Sequence, residues 1–222
     1  MPDRRTRIET FIRRNLPLRA VPGLPKIVLH TAHPGSGLRR LPGASAAPYW
    51  AWPWAGGLVL ARHFRDQPDC VRGRRLLDLG AGSGLVGIAA MQAGARSVIA
   101  AEIDANGLVA LSLNAAANGV TLVPGSGDAL ALPVPDVDLV VGGDVYYDEA
   151  LAPRVTQYLD RCRAAGIEVL VGDPGRAHLP LQRLQQVAQH AVPDFGAAPD
   201  DALRPGAVYR LAPPVAESVL ER

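Results

Sequence analysis

Three short segments of this 222-residue chain gather the residue types that hold a charged small molecule and act on it. The first is Asp78-Leu79-Gly80-Ala81-Gly82-Ser83-Gly84. Glycines at this spacing let the backbone turn tightly and let a ligand approach it. A helix starting just after them would offer free N–H groups to an anion. The second is Ala101-Glu102-Ile103-Asp104, with Asp128 further on. A carboxylate at a strand tip accepts protons from a pair of hydroxyls, and Glu102 is placed for that work. Asp104 reads as a helix cap. The third is Val140-Val141-Gly142-Gly143-Asp144-Val145-Tyr146-Tyr147-Asp148-Glu149. There Asp144 and Tyr147 can hold an incoming amine, the carboxylate accepting and the phenol orienting. Gly143 leaves room for a bound ligand, and Asp148 and Glu149 suit the first turn of a following helix.

The glycine segment admits two registers. Gly82-Ser83-Gly84-Leu85-Val86-Gly87 is a GxGxxG, as in dinucleotide-binding folds. Asp78-x-Gly80-x-Gly82-x-Gly84 is the loop of S-adenosylmethionine (SAM) methyltransferases. The preceding strand ends at Leu79, so the first turn glycine is Gly80, which favours SAM. About 70 residues precede the loop, whereas a dinucleotide fold usually places it near the domain start. In this register Asp78 holds the loop and reaches the methionine ammonium, Glu102 takes the ribose hydroxyls, and Asp128 takes the adenine amino group.

The elements needed to position these residues are legible in outline. Ile8, Phe11, Ile12 and Leu16 recur at helical spacing in 3–16, and Pro17 stops that helix. Residues 17–57 are rich in Pro and Gly, with a strand over Lys26–Thr31. Tyr49-Trp50-Ala51-Trp52-Pro53-Trp54 holds all three tryptophans, and a helix over 58–66 follows. From residue 74 strands and helices alternate. Strands are expected at 74–79, 97–103, 121–123, 137–142, 167–171 and 207–211, and helices from 84 to about 93 and at 105–117, 149–164 and 178–191. Such alternation predicts an α/β fold, Rossmann-like, with a mostly parallel sheet and helices on both faces. The expected division is an N-terminal appendage of helix, loop and Trp-rich segment over 1–70, packed on a SAM-binding domain over 71–222.

Composition excludes other classes. Apolar residues make up 48% of the chain and charged residues 20%, enough for a core and unlike a disordered chain. No apolar run reaches membrane-spanning length, and the start lacks the apolar stretch of a secretory signal. Cys70 and Cys162 form neither a CxxC nor a zinc spacing, which points to a reducing compartment and no metal. Residues 1–40 carry +7 and the remainder −5, for a net +2. A basic N-terminal segment suits an acidic partner. The small net charge and the lack of recurring aromatic–basic platforms argue against nucleic acid. Lys26 is the only lysine beside 22 arginines, a bias typical of GC-rich bacterial coding.

Tyr49–Gly57 (YWAWPWAGG), Asp78–Gly84 (DLGAGSG), Ala101–Asp104, Gly143–Glu149 (GDVYYDE) and Gly172–Arg176 (GDPGR) resemble the lysine methyltransferases that modify the β-subunit of electron-transfer flavoprotein. These are seven-β-strand class I enzymes with a DxxY-type motif, and the resemblance runs from about residue 45 to 178. It implies a sheet ordered 3-2-1-4-5-7-6 with the last strand antiparallel. It also implies donor contacts at Gly80, Gly82, Gly84 and Glu102, a Trp54 packed against bound SAM, and a lysine entry lined by Asp144 and Tyr147. Gly142-Gly143 departs from relatives that carry a bulkier residue first, which would loosen the donor pocket. The expected function is methylation of lysines on that β-subunit, yielding S-adenosylhomocysteine, by a monomeric cytoplasmic enzyme, or a mitochondrial-matrix one in a eukaryote. The expected partners are this protein substrate, with no nucleic acid and no membrane. A small-molecule N-methyltransferase and a non-catalytic SAM-binding protein are the alternatives. Arg176 and the basic N-terminus are expected to face acidic residues around the target lysine.

Overall fold

The computed structural model describes residues 3–41, 47–193 and 203–212. The expected division at residue 70 therefore takes in stretches, including 194–202 and 213–222, that lie outside the described residues.

The first helix, α1 (Arg4–Asn15), starts where the Asp3 side chain accepts the Thr6 N–H. It buries Ile8 and Ile12. A hairpin of β1 (Leu18–Val21) and β2 (Leu24–His30) follows; β1 has no counterpart in the sequence reading. Helix α2 (Ala55–Asp66) begins three residues before the expected start and takes Gly56 and Gly57 into its first turn.

The sheet is built from β3 (Arg75–Leu79), β4 (Ser97–Glu102), β5 (Val123–Ser126), β6 (Leu139–Gly143), β7 (Glu168–Asp173), β8 (Leu184–Pro193) and β9 (Leu203–Leu211). Its order is β5-β4-β3-β6-β7-β9-β8. Numbered within the sheet this is 3-2-1-4-5-7-6. The last strand, β9, runs antiparallel to both neighbours. Helices α3 (Leu85–Gln92), α4 (Ala105–Ala117) and α5 (Leu151–Ala164) connect the parallel strands.

One expected element is wrong. The helix over 178–191 is absent, and β8 stands there, paired with β9 from Leu184↔Leu211 to Pro193↔Leu203. The Gln- and Ala-rich run Leu184-Gln185-Gln186-Val187-Ala188-Gln189 carries helical propensity. The exposed hydrogen-bonding edge of β9 overrides it. With β8 in place the strand count reaches seven.

Both faces of the sheet are covered, so its central strands are apolar on each side. Leu76, Leu139, Val141, Leu170 and Val208 pack with α2, α3 and α4. Leu77, Val140, Val169 and Val171 pack with α5 through Val155, Tyr158 and Leu159. A third cluster joins Ile8, Ile12 and Leu16 to Trp50 and to Val109 and Leu113 of α4. No described helix is long and apolar enough to cross a membrane.

Candidate active site

The carboxyl ends of β3, β4, β6 and β7 meet on one edge of the sheet, where open α/β folds bind ligands. At the end of β3, Gly80, Gly82 and Gly84 have φ of +68°, +53° and +82°. A side chain would strain each position. The Ala81 N–H donates to the Ala101 carbonyl at 2.9 Å, which fastens the loop to β4. Asp78, 1% exposed, accepts the Gly87 N–H of α3 at 3.0 Å through Oδ2. Its Oδ1 is buried with no hydrogen-bond partner. Burial, and after it the Glu102 charge, pushes this carboxyl up to about 7.

Glu102 ends β4 and bridges two loops. Oε2 accepts the Gly82 N–H at 2.8 Å and Oε1 the Asp104 N–H at 2.7 Å. Burial raises its pKa, against the pull of these backbone bonds. Asp104 caps α4 by accepting the Asn106 N–H, and its Oδ2 accepts the Trp50 indole N–H at 3.0 Å. Trp50 is thereby a core residue, 2% exposed.

At the end of β6, Asp144 has φ +57°, the one non-glycine with positive φ among the described residues. Asx residues tolerate this region best. Its Oδ2 accepts the Gly56 N–H of α2 at 2.5 Å, and its Oδ1 accepts Nε–H of Arg176 at 2.7 Å. Arg176 thus turns inward onto Asp144 rather than outward to a substrate, because the next loop aims it there. In that loop Asp173, fully buried, accepts the Gly175 and Arg176 N–H groups on Oδ1. Its Oδ2 is buried and unpartnered. Burial pushes the Asp173 carboxyl up to about 6, with the Asp144 charge adding to the shift.

The space at Gly143 is taken by backbone, not left for a ligand. A Cβ there would lie 2.7 Å from Gly57 Cα and N. A Cβ on Gly172 would lie 2.2 Å from the Gly56 carbonyl oxygen. The absence of side chains at Gly56, Gly143 and Gly172 therefore lets α2 lie directly on β6 and β7. At Gly142 a Cβ would meet the Val145 side chain at 3.1 Å, so this glycine too faces protein. Val145 in turn lies beside the glycine loop, 3.6 Å from where a Gly80 Cβ would be.

An aromatic ridge borders this edge. Trp52 and Trp54 rings are 6.1 Å apart, Trp54 and Tyr49 6.0 Å, and Tyr49 and Tyr147 5.2 Å. The Trp54 indole N–H donates to the Tyr49 carbonyl. Tyr147 is 49% exposed, whereas Tyr146 is fully buried. Glu102 is among the charges raising the Tyr147 pKa, after burial.

The fold brings Asp78, Gly80, Gly82, Gly84 and Glu102 together, sets Asp144 and Gly143 beside them, and lays Trp54 and Tyr147 along the ridge. Asp128, after β5, caps a short 3-10 turn by accepting the Leu130 N–H and pairs with Arg154 of α5. The sequence reading missed Asp173 as a buried site residue, although GDPGR contained it. It also missed Gly56 and Gly57 as a docking surface.

Comparison with known proteins adds the family. The family model for ribosomal protein L11 methyltransferase (PrmA) matches residues 66–141. That span holds the glycine loop and Glu102 and stops before Asp144. The electron transfer flavoprotein beta subunit lysine methyltransferase of Rattus norvegicus is 38% identical over 172 residues, 75% of this chain and 68% of the relative. The protein of the same name from Xenopus laevis is 38% identical over 172 residues, 75% of this chain and 70% of its own. This chain belongs to that methyltransferase family. It is a SAM-dependent methyltransferase. A Pyrococcus abyssi tRNA (uracil-54, C5)-methyltransferase, solved with S-adenosyl-L-homocysteine, shares the fold with a TM-score of 0.51 at 18% identity, over 69% of this chain and 38% of that one.

The site fits the donor these methyltransferases use. SAM carries two ribose hydroxyls, an ammonium and a sulfonium. Against them stand the Glu102 carboxylate at a strand tip, the unpartnered buried Oδ1 of Asp78, and three glycines that bring the backbone close.

Proposed function

We propose that this chain transfers methyl groups to lysine side chains of the electron-transfer flavoprotein β-subunit. The observation that carries the reading is the seat of Asp144 and Tyr147: past the tip of β6, with Val145 between them in sequence and beside the glycine loop.

In this reading Gly80, Gly82, Gly84, Asp78 and Glu102 hold the donor, and Trp54 shields it. SAM supplies a methyl group already activated on a sulfonium. The protein's part is then position and exclusion of water. The acceptor must present a neutral amine, whereas a free lysine has a pKa of about 10.4. Burial under the aromatic ridge favours the neutral form. Asp144 orients the amine and is not a strong base, because one oxygen is held by the Gly56 N–H and the other by Arg176. Arg176 offsets the carboxylate charge that would otherwise hold the lysine as ammonium. The proton leaves to water, and Tyr147 orients the amine from the exposed side. The free state of Cys70 and Cys162 supports a reducing, cytoplasmic setting.

The test is incubation with tritiated SAM, a lysate of the source cells and purified flavoprotein, read by gel fluorography. One labelled band at the β-subunit, lost with Asp144→Asn, is the expected result. Label only in low-mass material would overturn it in favour of a small-molecule acceptor. SAM binding without label anywhere would mark a binding protein.

A further inference from the structure

Arginines with no carboxylate at ion-pair distance among the described residues occur throughout the fold, Arg62, Arg96, Arg161, Arg163 and Arg204 included, and are densest in the first forty residues. Among the described residues, Arg65, Arg72, Arg74, Arg75, Arg154, Arg176, Arg183 and Arg210 each pair with a carboxylate. In the first forty residues Arg5 pairs with Glu9, and Arg13, Arg14, Arg39 and Arg40 have no carboxylate at ion-pair distance among those residues.

Arg39 and Arg40 end a 3-10 turn, Leu38–Arg40, and border a cleft of about 580 Å³ whose other walls include His33, Ser36 and Trp52. That wall is fixed in place. Ser36, 2% exposed, donates through its hydroxyl to the Asn15 carbonyl of α1 at 3.0 Å and accepts the His33 N–H at 2.9 Å. The Ala32 N–H donates to the Ala51 carbonyl at 3.0 Å. The two exposed guanidiniums therefore stand on a braced scaffold, and two such forks recognise carboxylates.

Trp52 belongs to this cleft and to the ridge that ends at Tyr147. In the protein-lysine reading, a substrate segment with its lysine at Asp144 runs along that ridge. The three ring-to-ring steps bound the span from Trp52 to Tyr147 at a length that an extended chain covers in about five residues.

We infer that the Arg39–Arg40–Trp52 cleft docks an acidic segment of the protein substrate, within about five residues of the methylated lysine. The inference rests on the protein-lysine reading above. The protein-lysine reading makes an acidic peptide the occupant, and RNA is an outcome of the test.

The test is the double variant Arg39→Glu/Arg40→Glu in the full chain. Its SAM affinity stays that of the wild type, which also reports an intact fold. Its KM for the β-subunit rises about tenfold or more with kcat kept, and the salt sensitivity of KM flattens. By calorimetry a hexaglutamate peptide binds the wild type and not the variant, and it competes with the β-subunit but not with SAM. Lysine peptides carrying a glutamate pair at varied distance give their lowest KM at a spacing of about five or fewer residues. An unchanged KM in the variant overturns the inference, as does equal inhibition of both proteins by hexaglutamate. A uridine oligonucleotide that displaces the peptide would overturn it in favour of RNA. If the wild type leaves the β-subunit unlabelled, the functional reading fails, and the hexaglutamate calorimetry still decides whether the cleft binds acidic chain.

Discussion

Nε of Arg176 lies 2.7 Å from Oδ1 of Asp144, so the carboxylate proposed to meet the substrate amine is shared with a guanidinium. The pair is largely enclosed, with side chains 27% and 7% exposed. Asp173 fixes the partner by accepting the Arg176 backbone N–H at 2.7 Å. The direction and charge environment of the Asp144 carboxylate are therefore set by the protein itself.

Arg176→Met removes this partner while keeping much of the side-chain volume. Steady-state kinetics should show kcat/KM for the β-subunit falling about 10²-fold, with SAM affinity unchanged, because a misdirected carboxylate costs about that much. Arg176→Lys should not restore the rate, since an ammonium cannot reproduce a planar Nε–H contact. Full rescue by lysine would reduce the role to charge alone.

Asp144→Asn keeps an acceptor for the Gly56 N–H and tolerates the positive φ. Transfer should fall at least about 10²-fold while SAM affinity, by calorimetry, stays within about tenfold. Parallel loss of SAM binding would place Asp144 on the donor side instead.

Glu102→Gln can accept only one of the two N–H groups now bound by the carboxylate. Hydrogen bonds to charged acceptors contribute about 1.5–3 kcal/mol, so SAM should bind about 10- to 100-fold more weakly. Calorimetry that returns the wild-type affinity would remove Glu102 from the donor site.

The Asp78 carboxyl, raised to about 7 by burial and the Glu102 charge, makes stability depend on pH. Its unfolded value is about 3.9. A carboxyl raised by folding favours the native state while protonated. That contribution is full below about pH 4 and is lost as pH rises through about 7. Asp78→Asn should therefore raise Tm relative to wild type at pH 8 more than at pH 4. Equal differences at both values would show that Asp78 does not titrate in this window.

Gly143→Ala tests packing against ligand space. The added Cβ would meet Gly57 backbone at 2.7 Å, and overpacking of this kind costs about 1–3 kcal/mol. Chemical denaturation should show that loss. A variant of wild-type stability with weakened SAM binding would restore the donor-pocket role for Gly143.

The parts legible in the sequence were those whose cause is local. Gly80, Gly82 and Gly84 each take a positive φ, so the turn is written in three residues beside the acid that anchors it. Asp104 as a cap follows the same local logic. What escaped notice depends on partners far along the chain. Gly143 reads as free space until the first turn of α2 is placed on it. Arg176 reads as a surface charge until Asp173 turns it inward. Residues 184–193 carry helical composition, and only the open edge of β9 makes them a strand. Trp50, Trp52 and Trp54 look alike in sequence, yet Trp50 is in the core and the other two line the ridge.

The contact between Gly56 and Asp144 joins residues 88 positions apart. Gly56 also abuts Gly172, in a strand that leaves the ribosome later still. During synthesis the first turn of α2 therefore has no seat until β6 and β7 have emerged. The glycine loop is finished early, and the contact of α2 with β6 and β7 later. A chain cut short before residue 172 keeps the glycine loop but lacks the loop that aims Arg176 at Asp144, so an interrupted product leaves that carboxylate without its guanidinium.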